Sequence, residues 1–196
     1  MTTHYFTDND TLEHDYHNIK VVVQDMVFNF QTDAGVFSKF GLDYGSRVLI
    51  NNALKYELGP KTLDLGCGWG PVGIIVKKIK YTEVWAVDIN NRAVQLTSLN
   101  AKNNQVVLNV FKCDDLLTLD QRFNTVLFNP PIRSGKDNIF SLYDRAYRVL
   151  EDRGNLFIVI QKKQGAKSSF NKLAELFRKV EIIDSDKGYQ IIKATK

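Results

Sequence analysis

Leu63-Asp64-Leu65-Gly66-Cys67-Gly68-Trp69-Gly70-Pro71-Val72-Gly73 runs from an apolar strand through a glycine-dense bend into a helix. Pro60-Lys61-Thr62 marks the start of the strand, and Val72, Ile75, Val76 and Ile79 recur at helical spacing after the bend. Glycines let backbone approach a ligand closely, and the first turn of a helix offers unpaired N–H groups, so this is a nucleotide-type binding element. Gly68-x-Gly70-x-x-Gly73 satisfies the dinucleotide fingerprint, which alone is weak. Asp64 argues otherwise: a carboxylate just before the first glycine repels a pyrophosphate and attracts a cation.

Asp64-Leu65-Gly66-Cys67-Gly68-Trp69-Gly70 resembles motif I of the class I S-adenosylmethionine (SAM) methyltransferases. The resemblance places the acid near the amino group of the ligand's methionine, where an ammonium wants a counter-charge. SAM is therefore the expected cofactor, with Asp64, Gly66, Cys67, Gly68 and Gly70 around it. Cys67 is read as a small residue filling a tight bend, not as a nucleophile. Asp88, followed by Ile89, ends the next apolar strand about 20 residues on, the place of an acid that accepts ribose hydroxyls. That role is common to NAD and SAM sites and separates nothing.

Alternation continues outward from this centre. Glu83–Val87 reads as a strand and Asn91–Asn104 as a helix with Ala93, Val94, Leu96 and Leu99 on its apolar face. Val106–Phe111 is a third strand, followed by Asp114, which the resemblance to the methyltransferases implies as the contact for the adenine amine, and Asp115, a candidate cap. Phe123–Phe128 is a fourth strand, Asp137–Glu151 a helix, Asp152–Asn155 a turn and Leu156–Ile160 a fifth strand. A helix carrying Phe170, Leu173, Ala174 and Phe177 comes next. Val180–Ile183 and Tyr189–Ile192, separated by a short turn, must be antiparallel, because a parallel pair needs a long crossover. The fold class is thus α/β: a Rossmann-like class I methyltransferase sheet of seven strands, the last antiparallel, plus an N-terminal β-hairpin over 18–31. Asp43 should cap a helix after the hairpin. Residues 1–17 read as a loosely packed arm and 18–196 as one methyltransferase domain, divided into a hairpin-and-helix part (18–58) and the SAM-binding core (59–196).

The length of 196 residues suits one domain, and 44% hydrophobic with 24% charged residues suits a soluble one. No apolar run reaches the roughly 20 residues of a membrane span. Cys67 and Cys113, unpaired in spacing, fit a reducing, cytoplasmic setting, and His4, His14 and His17 lack metal-ligand spacing. Residues 1–60 carry four basic against eight acidic side chains, whereas 133–179 carry eleven against five. That asymmetry suggests a polyanion footprint in the C-terminal half.

Asn129-Pro130-Pro131-Ile132 leaves the carboxyl end of the fourth strand, where substrates of such sheets meet their cofactors. The prolines stiffen the loop, so the Asn129 amide oxygen and the Pro130 carbonyl are two aimed acceptors for the hydrogens of an exocyclic NH₂. Holding both leaves the nitrogen lone pair facing an in-line methyl. Asn129-Pro130-Pro131-Ile132-Arg133-Ser134-Gly135-Lys136, with Thr32–Ser38 and Gln161–Ala166, resembles the 16S ribosomal RNA guanine-N2 methyltransferases. The resemblance spans about residues 19–196 and implies methyl transfer from SAM to a guanine amine. It also implies a Gly35–Phe37 loop over the cofactor, with Asn129, Pro130, Pro131 and Ile132 holding the base. Expected partners are ribosomal RNA or the small subunit, with the chain a monomer or homodimer. Longer family members carry a further N-terminal domain, and this chain resembles only their catalytic half. Relatives acting on adenine or glutamine have an aromatic at the place of Ile132, so Phe37 becomes the candidate wall for the base, with Arg133 and Lys136 beside it. Another amine, in transfer RNA, DNA or protein, is the alternative target, and a non-catalytic SAM- or NAD-binding module the alternative of another class.

Overall fold

The computed structural model describes residues 12–196. β1 (His17–Val23) and β2 (Met26–Thr32) form an antiparallel hairpin closed by Gln24 and Asp25, both left-handed as a tight two-residue hairpin turn requires. Phe28 and Phe30 turn inward and are almost fully buried, each contributing on the order of 2 kcal/mol, while Val22 and Val27 on the other face stay exposed. Phe30 meets the Trp69 ring edge to face at 4.9 Å, which ties the hairpin to the glycine bend. α1 (Tyr44–Ala53) follows, capped by Asp43, whose carboxylate accepts from the Ser46 N–H.

Strand and helix then alternate through β3 (Lys61–Leu65), α2 (Pro71–Lys80), β4 (Glu83–Asp88), α3 (Asn91–Asn103), β5 (Asn109–Lys112), β6 (Phe123–Phe128), α4 (Lys136–Val149), β7 (Leu150–Gln161) and α5 (Ala166–Leu176). β8 (Lys179–Asp186) and β9 (Tyr189–Thr195) finish the chain. The sheet order is β5-β4-β3-β6-β7-β9-β8, parallel from β5 to β7, with β9 inserted antiparallel between β7 and β8. A connection of only Lys187 and Gly188 allows β8 and β9 no other arrangement. Chain order reverses between β3 and β6, so a crevice opens outside their carboxyl ends. Leu63 and Leu65 fill the core on one face of the sheet, and Asp64 points to the other, beneath α2.

Several elements differ from the sequence expectation. Leu99 is 41% exposed, and the buried stripe of α3 uses Thr97, Asn100 and Ala101 instead. Asn100 exchanges hydrogen bonds with the backbone of Gln31, and Asn104 does so with Asn29, so polar side chains fasten β2 to α3. An apolar tally cannot reveal such a contact. β5 is shorter than Val106–Phe111, because the Val106 N–H still closes the end of α3 on Ala101 and Val107 faces solvent. α4 starts at Lys136 and ends at Val149, and the expected turn at 152–155 is absorbed into the long β7, with Arg153 left-handed. Ala174 faces outward on α5.

Of the expected arm, residues 1–11 lie outside the described residues. Residues 13–16 are exposed, and the segment is held by hydrogen bonds: Arg92 donates to the carbonyls of Leu12 and Glu13, and Asp33 accepts from the Asp15 N–H and the His14 ring. Among the described residues no helix is long and apolar enough to cross a membrane.

Candidate active site

A cavity of about 450 Å³ occupies the crevice between β3 and β6. Its floor is the glycine bend. The N–H groups of Gly66 and Cys67 both donate to the Val87 carbonyl, which bolts the bend to β4. Gly70 begins α2 at φ 88°, and a Cβ there would lie 2.9 Å from Ile74 and 3.0 Å from Thr97. It does not line the cavity; its part is to let the chain turn into α2. Gly73 serves a close approach, since a Cβ on it would meet the Asp64 carboxylate at 3.0 Å.

Asp64 lines the cavity with its carboxylate under the first turn of α2, where Oδ2 accepts from the Gly73 N–H at 2.8 Å. Burial pushes its carboxyl up to about 7; the Gly73 hydrogen bond opposes the rise and the charge of Asp88 adds to it. A buried acid so poised gains from a cation placed beside it. Asp88 is bound through both oxygens, Oδ2 to the Gly68 N–H and Oδ1 to the Asn90 N–H, each at 2.9 Å. Burial raises its carboxyl too, against those backbone bonds. Both acids, with Gly66, Cys67, Gly68 and Ile89, line the cavity. Cys67 is buried, and burial, with Asp88 and Asp64 nearby, pushes its thiol well up, so it holds no thiolate for attack.

The loop after β2 roofs this half. Phe37 lines the cavity and is 39% exposed, and its carbonyl accepts from the Trp69 indole at 3.0 Å. Asn90 donates to the Gly35 carbonyl and Arg92 to that of Ala34. Beneath lies a buried ion pair, Arg92 to Asp33 at 3.2 Å. Burial alone would raise the Asp33 carboxyl, but hydrogen bonds from His14, Asp15 and Ala34 and the Arg92 charge hold it below the usual range. The sequence reading missed Trp69, Asn90 and Arg92 as fastenings; an Asn capping α3 gave no sign of its second bond.

Asp114 and Cys113 stand on the opposite wall with Leu116, facing Asn138, Leu142 and Arg145 of α4. Arg145 donates to the Asp114 carbonyl at 2.9 Å, and Asp115 caps the short turn that follows. None of the α4 residues stood out in the sequence, since a helix following the Asn-Pro-Pro loop is read first as packing.

Asn129, Pro130 and Pro131 close the far side of the same cavity. The Asn129 Nδ2 donates to Ser46 Oγ at 3.0 Å and to Asp43 Oδ2 at 3.4 Å, while Oδ1 accepts from nothing among the described residues. Asp43 and Ser46 also line the cavity, and neither stood out as a site residue. Ile132, Arg133 and Lys136 do not line it. Ile132 and Lys136 border a second cavity of about 200 Å³ with Gln164, Gly165 and Ser168, and Arg133 is exposed beside them. The second cavity brings the loop after β7 against Ile132 and Lys136, and Arg133, Lys136, Lys162, Lys163 and Lys167 are all exposed, so basic side chains border the Asn-Pro-Pro loop on this side.

Residues 27–193 match the sequence family described as the methyltransferase small domain. The uncharacterized protein YbxB of Bacillus subtilis is 38% identical over the whole of both chains. Ribosomal RNA small subunit methyltransferase C of Psychromonas ingrahamii is 33% identical over 65% of this chain, which spans 38% of it. Ribosomal RNA large subunit methyltransferase G of Aeromonas salmonicida is 31% identical over 83% of this chain, which spans 45% of it. The Thermus thermophilus 16S rRNA N2 G1207 methyltransferase, solved with AdoMet and guanosine, superposes with a TM-score of 0.83 at 21% identity, over 92% of this chain and 50% of its own. The expected class I methyltransferase sheet and SAM as cofactor stand with the family and the fold.

Proposed function

We propose that this chain, which belongs to the methyltransferase small-domain family, methylates the exocyclic N2 amine of a guanine in 16S ribosomal RNA. One observation carries the reading. A single cavity joins a cation-seeking acid, Asp64, to an amide, Asn129, whose NH₂ is already engaged and whose oxygen is free to accept. When bound, SAM would supply an electrophilic methyl: the amine lone pair becomes the N–C bond as the C–S bond breaks, and the C–S bonding pair stays on sulfur, leaving a neutral thioether. The chain's own residues position the partners. Asp64 would hold the methionine ammonium and Asp88 the ribose hydroxyls, while Ile89 and Leu116 would flank the adenine and Asp114 would accept from its amine. Asn129 Oδ1 and the Pro130 carbonyl hold the two N–H bonds of guanine N2. No strong base is needed, since the nitrogen becomes acidic on gaining the methyl and sheds one proton to water.

Phe37, exposed at the cavity mouth, offers the ring that Ile132 cannot. Arg133, Lys136, Lys162 and Lys163 suit the phosphates of an RNA strand entering beside the Asn-Pro-Pro loop. The small-subunit methyltransferase C of Psychromonas ingrahamii supports 16S RNA, and the Thermus enzyme is a methyltransferase for N2 of G1207 in that RNA. The large-subunit relative supports a second reading, the same chemistry on the other subunit. Purified protein with tritium-methyl SAM, offered both subunits from cells lacking it, separates the two. Label recovered as N2-methylguanosine from small-subunit RNA is expected. Label only in large-subunit RNA, in another nucleoside or in protein, or no label at all, would overturn the proposal.

A further inference from the structure

We infer that Asp43 and Ser46, at the first turn of α1, are positioning residues that set the orientation and strength of the Asn129 acceptor. This rests on the function proposed above. Asp43 Oδ2 takes two hydrogen bonds, from the Ser46 N–H at 3.0 Å and from Asn129 Nδ2 at 3.4 Å, and Ser46 Oγ also accepts from Asn129 Nδ2 at 3.0 Å. The cap of α1 is thus also a clamp on a loop more than 80 residues away.

Two consequences follow from elementary chemistry. An unclamped asparagine presents its oxygen or its NH₂ to a ligand with equal ease. Here a flip would press Oδ1 against the Asp43 carboxylate, so the oxygen is held toward the cavity. The second consequence is electronic. A carboxylate on the NH₂ side draws its hydrogens and shifts amide density onto Oδ1. The oxygen then grips a substrate N–H more firmly as that nitrogen gains positive charge. The clamp therefore acts more on the transition state than on the bound substrate. Gly45 leaves room for it: a Cβ there would lie 3.0 Å from the Tyr189 ring and 3.1 Å from Asp43 Oδ2.

Asp43→Asn tests this with little risk to folding, because asparagine caps a helix as well as aspartate does. The expected result is a fall in kcat of about 10-fold, the gap between a charge-assisted and a neutral hydrogen bond. SAM affinity by calorimetry and the melting temperature should stay near wild type. In the Asn129→Ala background Asp43→Asn should add almost nothing, because the clamp acts only through that amide. Wild-type kcat in Asp43→Asn, or losses that multiply in the double variant, would overturn the clamp while leaving the guanine reading intact. Wild-type protein that transfers no methyl would sink the guanine reading instead. The clamp is then read from the Asn129 side-chain ¹⁵N resonance, identified by its loss in Asn129→Ala. Slowed hydrogen exchange that quickens in Asp43→Asn supports the clamp, and fast exchange in both proteins refutes it.

Discussion

The two ends of the cavity are built in different ways. The cofactor end is local: Asp64, the bend, Asp88 and Asn90 lie within one strand-helix-strand unit, and most of their hydrogen bonds go to backbone of that unit. The acceptor end is assembled from afar, with Asn129 just after β6 held by side chains from the cap and first turn of α1 and flanked by a basic loop after β7. A ligand site made of backbone needs spacing, whereas a site that aims one amide oxygen needs partners wherever the fold can bring them. Damage at the first end should therefore appear in cofactor binding, and damage at the second in turnover.

Asn129→Ala should break that contrast most sharply. Removing one aimed acceptor of transition-state charge typically costs about 100-fold to 1,000-fold in kcat, and SAM affinity by calorimetry should move by no more than a few-fold. Equal losses in both would mean that the ends are not separate.

Asp64→Asn comes next, with the opposite signature. SAM affinity should fall by about 10-fold to 100-fold, the span of a lost charge-assisted hydrogen bond. Its pH dependence should vanish as well. Below about pH 7 the Asp64 carboxyl takes up a proton and no longer neutralises an ammonium, so wild-type affinity should weaken on acidification and level off above that value. For the unliganded protein the sign is reversed. The unfolded chain releases this proton at an ordinary carboxyl pKa and the folded one only near 7. Between them the fold binds more protons, so its stability from this group is present in acid and lost as pH rises through that window. Thermal melts between pH 4 and 8 with and without SAM would show it, and identical curves for wild type and Asp64→Asn would refute the assignment.

The smallest effect belongs to the rim. Lys162→Ala with Lys163→Ala should weaken RNA binding and lower the slope of log affinity against log salt by about 1.4, at roughly 0.7 per single-strand phosphate contact. SAM affinity should be untouched, and an unchanged salt slope would remove the rim from the RNA path.

The same contrast explains what could be read from sequence. The sheet, its reversed last strand, the N-terminal hairpin and the acids at Asp64 and Asp88 were legible because each follows from short-range spacing or the length of a connection. Leu99 was misassigned to the core because Asn100 and Asn104 take the buried stripe through hydrogen bonds to β2, and asparagine in a helix carries no apolar signal. Asp43 was legible as a cap and invisible as a clamp, since only tertiary folding brings it to Asn129. Arg145 and Asn138 reached the cavity through the docking angle of α4, which no local pattern encodes.

A crystal structure of the protein with SAM and guanosine tests the central claim most directly. The methionine ammonium should lie about 3 Å from the Asp64 carboxylate, and Asn129 Oδ1 within about 3 Å of guanine N2, with the methyl carbon between that nitrogen and sulfur. An ammonium held elsewhere, or Asn129 out of reach of the base, would contradict it.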